Sequence, residues 1–319
     1  MPMDAICLGA VVEELRRTVV GARIDKIQQP TRDQIVLLLQ RGGRLLLNAG
    51  GNQPRIQLTK LLRENPAQPP MFCMLLRKHL TGAKILAVEQ PEMERIVRLE
   101  LEGRDELGER CRRSLVLEAI GRQANLILLD TDGRIVDCLR RVDLDLSEKR
   151  QLLPGMFYRL PPAQAGKRSP LSLEAGEFER LLSETEGEEQ IDRWLLNTFF
   201  GLSPLLCREI AFRACGATVR HFFALGPAGR RCLCAVWEAW IARVHNRSYE
   251  PTMLLRQGKP VEYACFPIAQ YEGAAEVRRY EDFSALLDDF YETREKAERM
   301  RQLGHDLHQT VSSARDRVR

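Results

Sequence analysis

The spacing of short apolar runs across the first half of the chain limits the fold more than any other feature. Runs over residues 23–28, 34–40, 44–48 and 55–59 are punctuated by Pro30, Gly42-Gly43 and Gly50-Gly51. Further runs cover 84–89, 95–101, 114–120, 126–129 and 135–139, and Thr131-Asp132-Gly133 supplies a hairpin turn between the last two. Runs this short, bounded by turn residues, read as strands. Two helices interrupt them. Asp4 can cap the first, where Ala5, Leu8, Val11, Val12 and Leu15 form one apolar stripe and Gly21 ends it. The rigid connector Asn65-Pro66-Ala67-Gln68-Pro69-Pro70 leads into the second, Met71 to Leu80, which turns basic at Arg77, Lys78 and His79. The expected class is α+β, with an antiparallel, β-rich domain over residues 1–165.

Beyond a Pro/Gly/Lys linker at 163–170 the pattern becomes helical. Helices are expected over 177–184, 189–199, 204–214 and 227–244, giving an all-α domain over 166–248. Phe200-Gly201-Leu202-Ser203-Pro204 joins the second helix to the third. Ser203 suits an N-cap and Pro204 a first helical position. A tight corner opening onto a helix N-terminus offers amides to a phosphate, so Gly201 and Ser203 are possible phosphate contacts of a helix-hairpin-helix. Any two-helix corner also needs Gly and Ser at such places. A hairpin over 252–255 and 261–265 lies in a connector, 249–281. From Phe283 the chain reads as helix. Ala297, Met300, Gly304, Leu307, Val311, Ala314 and Val318 repeat with 3-4 spacing, the start of a coiled coil over 282–319. That seam still runs at Arg319, as in an N-terminal fragment of a longer protein.

Composition narrows the function classes. No run approaches the about 18 apolar residues of a membrane span. The N-terminus lacks the basic and apolar regions of a signal peptide. Nine scattered cysteines form no CxxC pair, which fits a reduced, cytoplasmic protein. The five histidines do not cluster with cysteines, so neither metal nor cofactor is expected. Net charge is +4, unevenly spread. Residues 34–88 hold eight Lys/Arg and one acid, residues 171–192 eight acids and one Arg, and residues 193–259 ten Lys/Arg against three acids. Two basic islands around an acidic segment suggest a nucleic-acid footprint in which Arg77 and Lys78 are possible phosphate contacts. Ordinary surface arginines would give the same counts.

One stretch combines charge with position. In Pro91-Glu92-Met93-Glu94-Arg95-Ile96-Val97-Arg98-Leu99-Glu100-Leu101, a turn feeds a strand, with Val97, Leu99 and Leu101 on one face. Arg95 has the parity of that apolar face, so its guanidinium must find an anion or water. Glu94-Arg95 is either a strand-end ion pair or a charged pair presented to a polyanion.

Several of these stretches resemble the NFACT family of ribosome quality-control factors, which includes bacterial RqcH and eukaryotic NEMF and is often labelled fibronectin-binding. An acid followed by Arg and two apolar residues is its signature. Here Glu94 stands where the family usually has Asp, keeping the charge and adding a methylene. Asn65-Pro66, the block from Pro69 to Leu80, the loop Glu118-Ala119-Ile120-Gly121-Arg122-Gln123-Ala124-Asn125 and the Pro154-Gly155 to Pro161-Pro162 ending are similar to family blocks. Ala119, Ile120, Gln123 and Ala124 depart from the pattern. Gly201 to Leu206 resembles the family's second domain.

The resemblance implies an N-terminal domain related to that of formamidopyrimidine-DNA glycosylases. It implies binding to a large ribosomal subunit carrying peptidyl-tRNA and recruitment of tRNA, chiefly alanyl-tRNA, for untemplated C-terminal tails. Peptide-bond formation would belong to the ribosome, and no catalytic motif is present. Asp4, Glu94 and Arg95 are the implied tRNA-contacting residues, with Glu118 and Arg122 as an extension. Asp4 serves equally well as a plain helix cap. Two other classes compete: a glycosylase/lyase using Pro2 as an amine nucleophile, and a surface adhesin. Against the first, Met3 stands where a glycosylase has Glu. Against the second stand the missing signal peptide and the free cysteines.

Overall fold

The computed structural model describes residues 3–40, 42–147, 150–162, 164–185, 187–296, 300 and 304. The first half forms two sheets in which every strand pairs antiparallel with its sequence neighbour. One sheet is β1 (Ile24–Thr31), β2 (Gln34–Leu39), β3 (Arg44–Asn48) and β4 (Arg55–Leu58). The other is β5 (Lys84–Glu89), β6 (Ile96–Arg104), β7 (Arg110–Glu118), β8 (Asn125–Leu129) and β9 (Ile135–Cys138). Helix α1 (Ala5–Thr18) touches β4 and β5, and α2 (Met71–Leu80) touches β1 and β6, so the two helices bridge the sheets. Alternation along β6 decides its facing. Val97, Leu99 and Leu101 enter the main core, whereas Ile96 joins a smaller cluster with Val116 and Ile127 on the opposite face.

The second half supplies α3 (Glu177–Glu184), α4 (Ile191–Thr198), α5 (Pro204–Cys215) and α6 (Pro227–His245). Phe178 stacks on Trp237 at 4.3 Å, with Trp194 and Phe199 packed around the pair. A three-stranded sheet follows in the order β11-β10-β12, with β10 Thr252–Arg256, β11 Lys259–Ala264 and β12 Glu276–Arg279. The hairpin was expected and β12 was not, because three of its four residues are charged and give no apolar alternation. One hydrophobic core runs from α1 and the first two sheets through α3–α6 to Tyr291. Residues 283–296 are helical, as are Met300 and Gly304. The other expected coiled-coil positions, Ala297, Leu307, Val311, Ala314 and Val318, lie outside the described residues.

The 283–296 helix lies along β4, the edge of the first sheet. Its start is held by Glu14 of α1, whose carboxylate accepts from the Phe283 amide at 2.7 Å and the Ser284 amide at 3.3 Å. Along the edge, the Leu58 amide donates to Ser284 Oγ at 3.1 Å and the Lys60 amide to Asp288 Oδ2 at 2.8 Å. Gln57 and Thr59 side chains donate to Asp288 Oδ1, each at 2.7 Å. Arg55 is fully buried, lies 3.8 Å from the Tyr291 ring centre and pairs with Glu295, which also accepts from Arg63 at 3.1 Å.

Candidate nucleic-acid interface

Asp4 caps α1. Its Oδ1 accepts from the Ile6 amide at 3.1 Å and the Cys7 amide at 2.8 Å, two of the donors that a helix start leaves unsatisfied. The residue is buried. Burial pushes its carboxyl above the ordinary carboxylate range, opposed by the Cys7 and Ile6 amides and the Ser203 hydroxyl. One buried carboxyl thus serves as the cap of α1 and lies beside the α4–α5 corner.

Glu94 and Arg95 sit at the mouth of β6, both half-buried. Burial lowers the Arg95 guanidinium's affinity for its proton, and the nearby Asp4 and Glu94 charges restore part of it. Burial likewise raises the Glu94 carboxyl, and Arg95 pulls it back. Asp4, Glu94 and Arg95 thus share one electrostatic site, although Asp4 is 90 residues away in sequence. Gln90 holds the pieces together. Its Nε2 donates to the carbonyls of Ala5 and Glu94, each at 2.7 Å. Met93, between them, takes a left-handed φ of 56°.

The α4–α5 corner closes the site from the other side. Gly201 O accepts from the Ala5 amide at 3.2 Å. Gly201 has φ +81°, and a Cβ there would stand 2.7 Å from Met93 Cε and 2.9 Å from Met93 O. Ser203 is buried and caps α5 by accepting from the Leu206 amide at 3.3 Å. The corner is therefore pressed against Asp4 and Met93, and Gly201 and Ser203 shape the site from behind. Neither presents the open helix N-terminus that phosphate contact needs.

The other expected residues are placed elsewhere. Glu118 is buried, receives Arg150 Nη1 at 3.0 Å and Nη2 at 2.5 Å, and accepts the Tyr158 hydroxyl at 2.8 Å. These bonds occupy the carboxylate and account for Glu118 as an internal ion pair in place of an RNA contact. Arg122 is exposed on the short turn Gly121–Gln123. Its loop is tied to the site because the Ala119 amide donates to Arg95 O at 2.7 Å. Arg77 donates Nε to Ile27 O at 2.9 Å, and Lys78 pairs with Glu106 at 2.6 Å. Both are engaged by the protein itself.

Gln90 and Met93 escaped the sequence reading. Gln90 stands just before the Pro91 turn, but nothing local indicates that an amide there spans to α1. Arg140 was missed as well. It binds the Ala49 carbonyl at 2.7 Å and Asp33 at 2.5 Å, fixing the 48–51 turn beside the Arg122 loop.

The profile of the NFACT N-terminal and middle domains matches residues 4–319. The chain belongs to the NFACT family. Among NFACT relatives, the Rqc2 homolog RqcH of Bacillus subtilis is 34% identical over 319 residues, covering 99% of this chain and 53% of that protein. The archaeal Rqc2 homolog aRqcH of Methanocaldococcus jannaschii is 27% identical, covering 91% of this chain and 41% of its own. The chain spans about half the length of the curated NFACT relatives it matches. The solved N-terminal part of the fibronectin/fibrinogen-binding protein from Streptococcus suis superposes with a TM-score of 0.74 at 27% identity, covering 91% of this chain and 99% of that one. The mixed α/β fold with antiparallel sheets agrees with the class expected from the sequence. Among the described residues, no helix is long and apolar enough to cross a membrane.

Proposed function

We propose that this chain is the tRNA- and ribosome-engaging part of an NFACT ribosome quality-control factor. In this reading it binds obstructed large ribosomal subunits that still hold peptidyl-tRNA. It recruits tRNA, probed first as alanyl-tRNA, for untemplated C-terminal tailing of the stalled chain. The work is cytoplasmic, and the ribosome makes the peptide bonds. A glycosylase-type N-terminal domain, a helix-hairpin-helix over 166–248 and a coiled-coil arm from 282 belong to the same proposal. The observation that carries it is the convergence of Asp4, Glu94 and Arg95, with Gln90 and the Gly201 corner holding them in place. A half-buried guanidinium flanked by carboxylates can grip a phosphate or stack on a base while an acid accepts from a base amine.

The test is tail synthesis in cells by the full-length protein. Glu94→Asp should be tolerated, because it shortens the arm and keeps the charge. Arg95→Lys should fail, because the ammonium lacks the planar fork. The Glu94→Ala, Arg95→Ala double variant should lose tailing with its melting temperature nearly unchanged. A collapsed melting temperature would make the pair an internal ion pair only. Wild-type tailing by a folded double variant would remove the site from the function. Pro2, the nucleophile of the competing glycosylase reading, lies outside the described residues.

A further inference from the structure

The chain that follows β9 covers the outer face of the second sheet. Leu152, with Val142 and Tyr158 beside it, seals the small cluster of Ile96, Val116, Ile127 and Ile135. Three sets of bonds pin this cover. The Val142 amide donates to Leu152 O at 3.1 Å and the Leu152 amide to Val142 O at 2.7 Å. The Ile135 amide donates to Met156 O, and the Gly155 amide to Ile135 O, each at 2.8 Å, so 155–156 runs beside β9. Arg150 joins the buried Glu118 carboxylate to the Arg159 carbonyl, which accepts its Nε–H at 2.9 Å. On its outer side the same cover shows Leu144, Leu146, Met156, Phe157 and Leu160, which are 40–71% exposed. Apolar side chains this exposed on a backbone this firmly held can bind a partner with little further loss of chain entropy.

We propose that this platform docks a protein segment whose apolar side chains are interleaved with lysine or arginine. The charge pattern selects that chemistry. Asp143 and Asp145 flank Leu144, Asp145 also precedes Leu146, and all four are exposed. The cations nearest in the chain are committed elsewhere: Arg140 to Asp33, Arg141 to Asp137, Arg150 to Glu118, and Arg134 over the Phe157 ring at 4.1 Å. Arg159 is exposed at the Leu160 end, which leaves the Leu144–Leu146 end acidic. A partner that covers the leucines must therefore also meet carboxylates, and cations interleaved with its apolar groups do both. RNA fits this face poorly. The two carboxylates repel phosphate, leucines offer no stacking surface, and Arg134 already occupies a face of the exposed aromatic ring. The Glu118–Arg150 pair thereby gains a role as the clamp that holds the platform in place.

The test uses three fluorescent probes: an amphipathic leucine/lysine peptide, a leucine/glutamate peptide of the same pattern, and oligolysine. Each is titrated with the 319-residue chain and followed by anisotropy. The chain's net charge is +4, so attraction of a cationic peptide has to be local. The leucine/lysine peptide should bind at least about tenfold tighter than either of the others. Leu144→Ser with Leu146→Ser should weaken it about tenfold or more, the effect of burying one leucine. The melting temperature should not move, because both side chains face solvent. Asp143→Asn with Asp145→Asn should weaken it less and flatten its salt dependence. Met71→Ser with Met74→Ser, which removes exposed apolar side chains from α2, should bind as wild type. So should Arg95→Ala, which separates this face from the tRNA reading. Equal binding of the leucine/glutamate peptide, wild-type affinity in the folded Leu144/Leu146 variant, or an equal loss in the Met71/Met74 variant would overturn the proposal. Displacement of the peptide from Arg95→Ala protein by an RNA oligonucleotide would make the platform an RNA surface and overturn it as well.

Discussion

Gly201→Ala tests whether the α4–α5 corner presses on the Glu94-Arg95 turn. Two costs can be separated. An L-residue held at φ +81° loses about 1 kcal/mol relative to glycine. The added methyl would also stand 2.9 Å from a backbone carbonyl, Met93 O, which cannot swing aside as a side chain can. Forced overpacking of this kind costs about 1–3 kcal/mol. The total is about 2–4 kcal/mol. Gly216, which ends α5 at φ +69° with nothing within 4 Å of a built Cβ, isolates the backbone part. Gly216→Ala should cost only about 1 kcal/mol. Urea midpoints at unchanged slope give both values. Adding Met93→Ala should recover only part of the loss, because it removes the Cε contact and leaves the carbonyl. Gly201→Ala should also weaken tRNA binding at temperatures where the protein stays folded, since Met93 carries Glu94 with it. If Gly201→Ala costs no more than Gly216→Ala, the corner does not bear on Met93 and does not hold the Glu94-Arg95 turn in place.

Glu118→Ala should destabilise by about 3–5 kcal/mol, because it leaves the largely buried Arg150 without its carboxylate. Denaturation measures it, and a loss under about 1 kcal/mol would return Glu118 to the surface-contact set. Burial raises the folded-state affinity of Asp4 for its proton above the ordinary 3.8. Ionised Asp4 therefore opposes folding at neutral pH, and that cost fades as pH falls through the raised value toward the ordinary one. Asp4→Asn retains a capping oxygen, so its stability relative to wild type should be best near neutral pH and decline on acidification. A pH-independent difference would refute this. RNA affinity should fall with salt, each neutralised phosphate adding about 0.7–0.9 to the log–log slope. Arg122→Ala should lower that slope more than Arg77→Ala with Lys78→Ala, whose cations are already engaged. The opposite ranking would place the RNA on α2.

Local pattern carried most of the secondary structure. Helix α2 was foreseen at Met71 to Leu80 because a proline-rich connector precedes it and a cationic tail closes it. Asp4 was foreseen as a cap because the stripe after it begins at Ala5. Strand β12 failed because an exposed edge strand needs no apolar face. The site was visible as residue types and invisible as an assembly. Arg150 meets Glu118 across 32 residues and lies in an irregular segment without periodicity. The Gly201 corner carries an ordinary two-helix signal, and only tertiary packing decides that it lands on Met93.

The seam between β4 and the 283–296 helix governs where this protein can be cut. The helix supplies Ser284 Oγ and Asp288 to edge amides that would otherwise face solvent. It also supplies the Tyr291 and Glu295 side chains around Arg55. A shortened fragment ending before residue 283 would expose a pairing-competent strand edge beside an uncovered apolar surface. Such a fragment should self-associate in solution, whereas one retaining the helix through residue 296 should stay dispersed. Domain dissection by recombinant expression therefore has to keep the 283–296 helix with the first sheet.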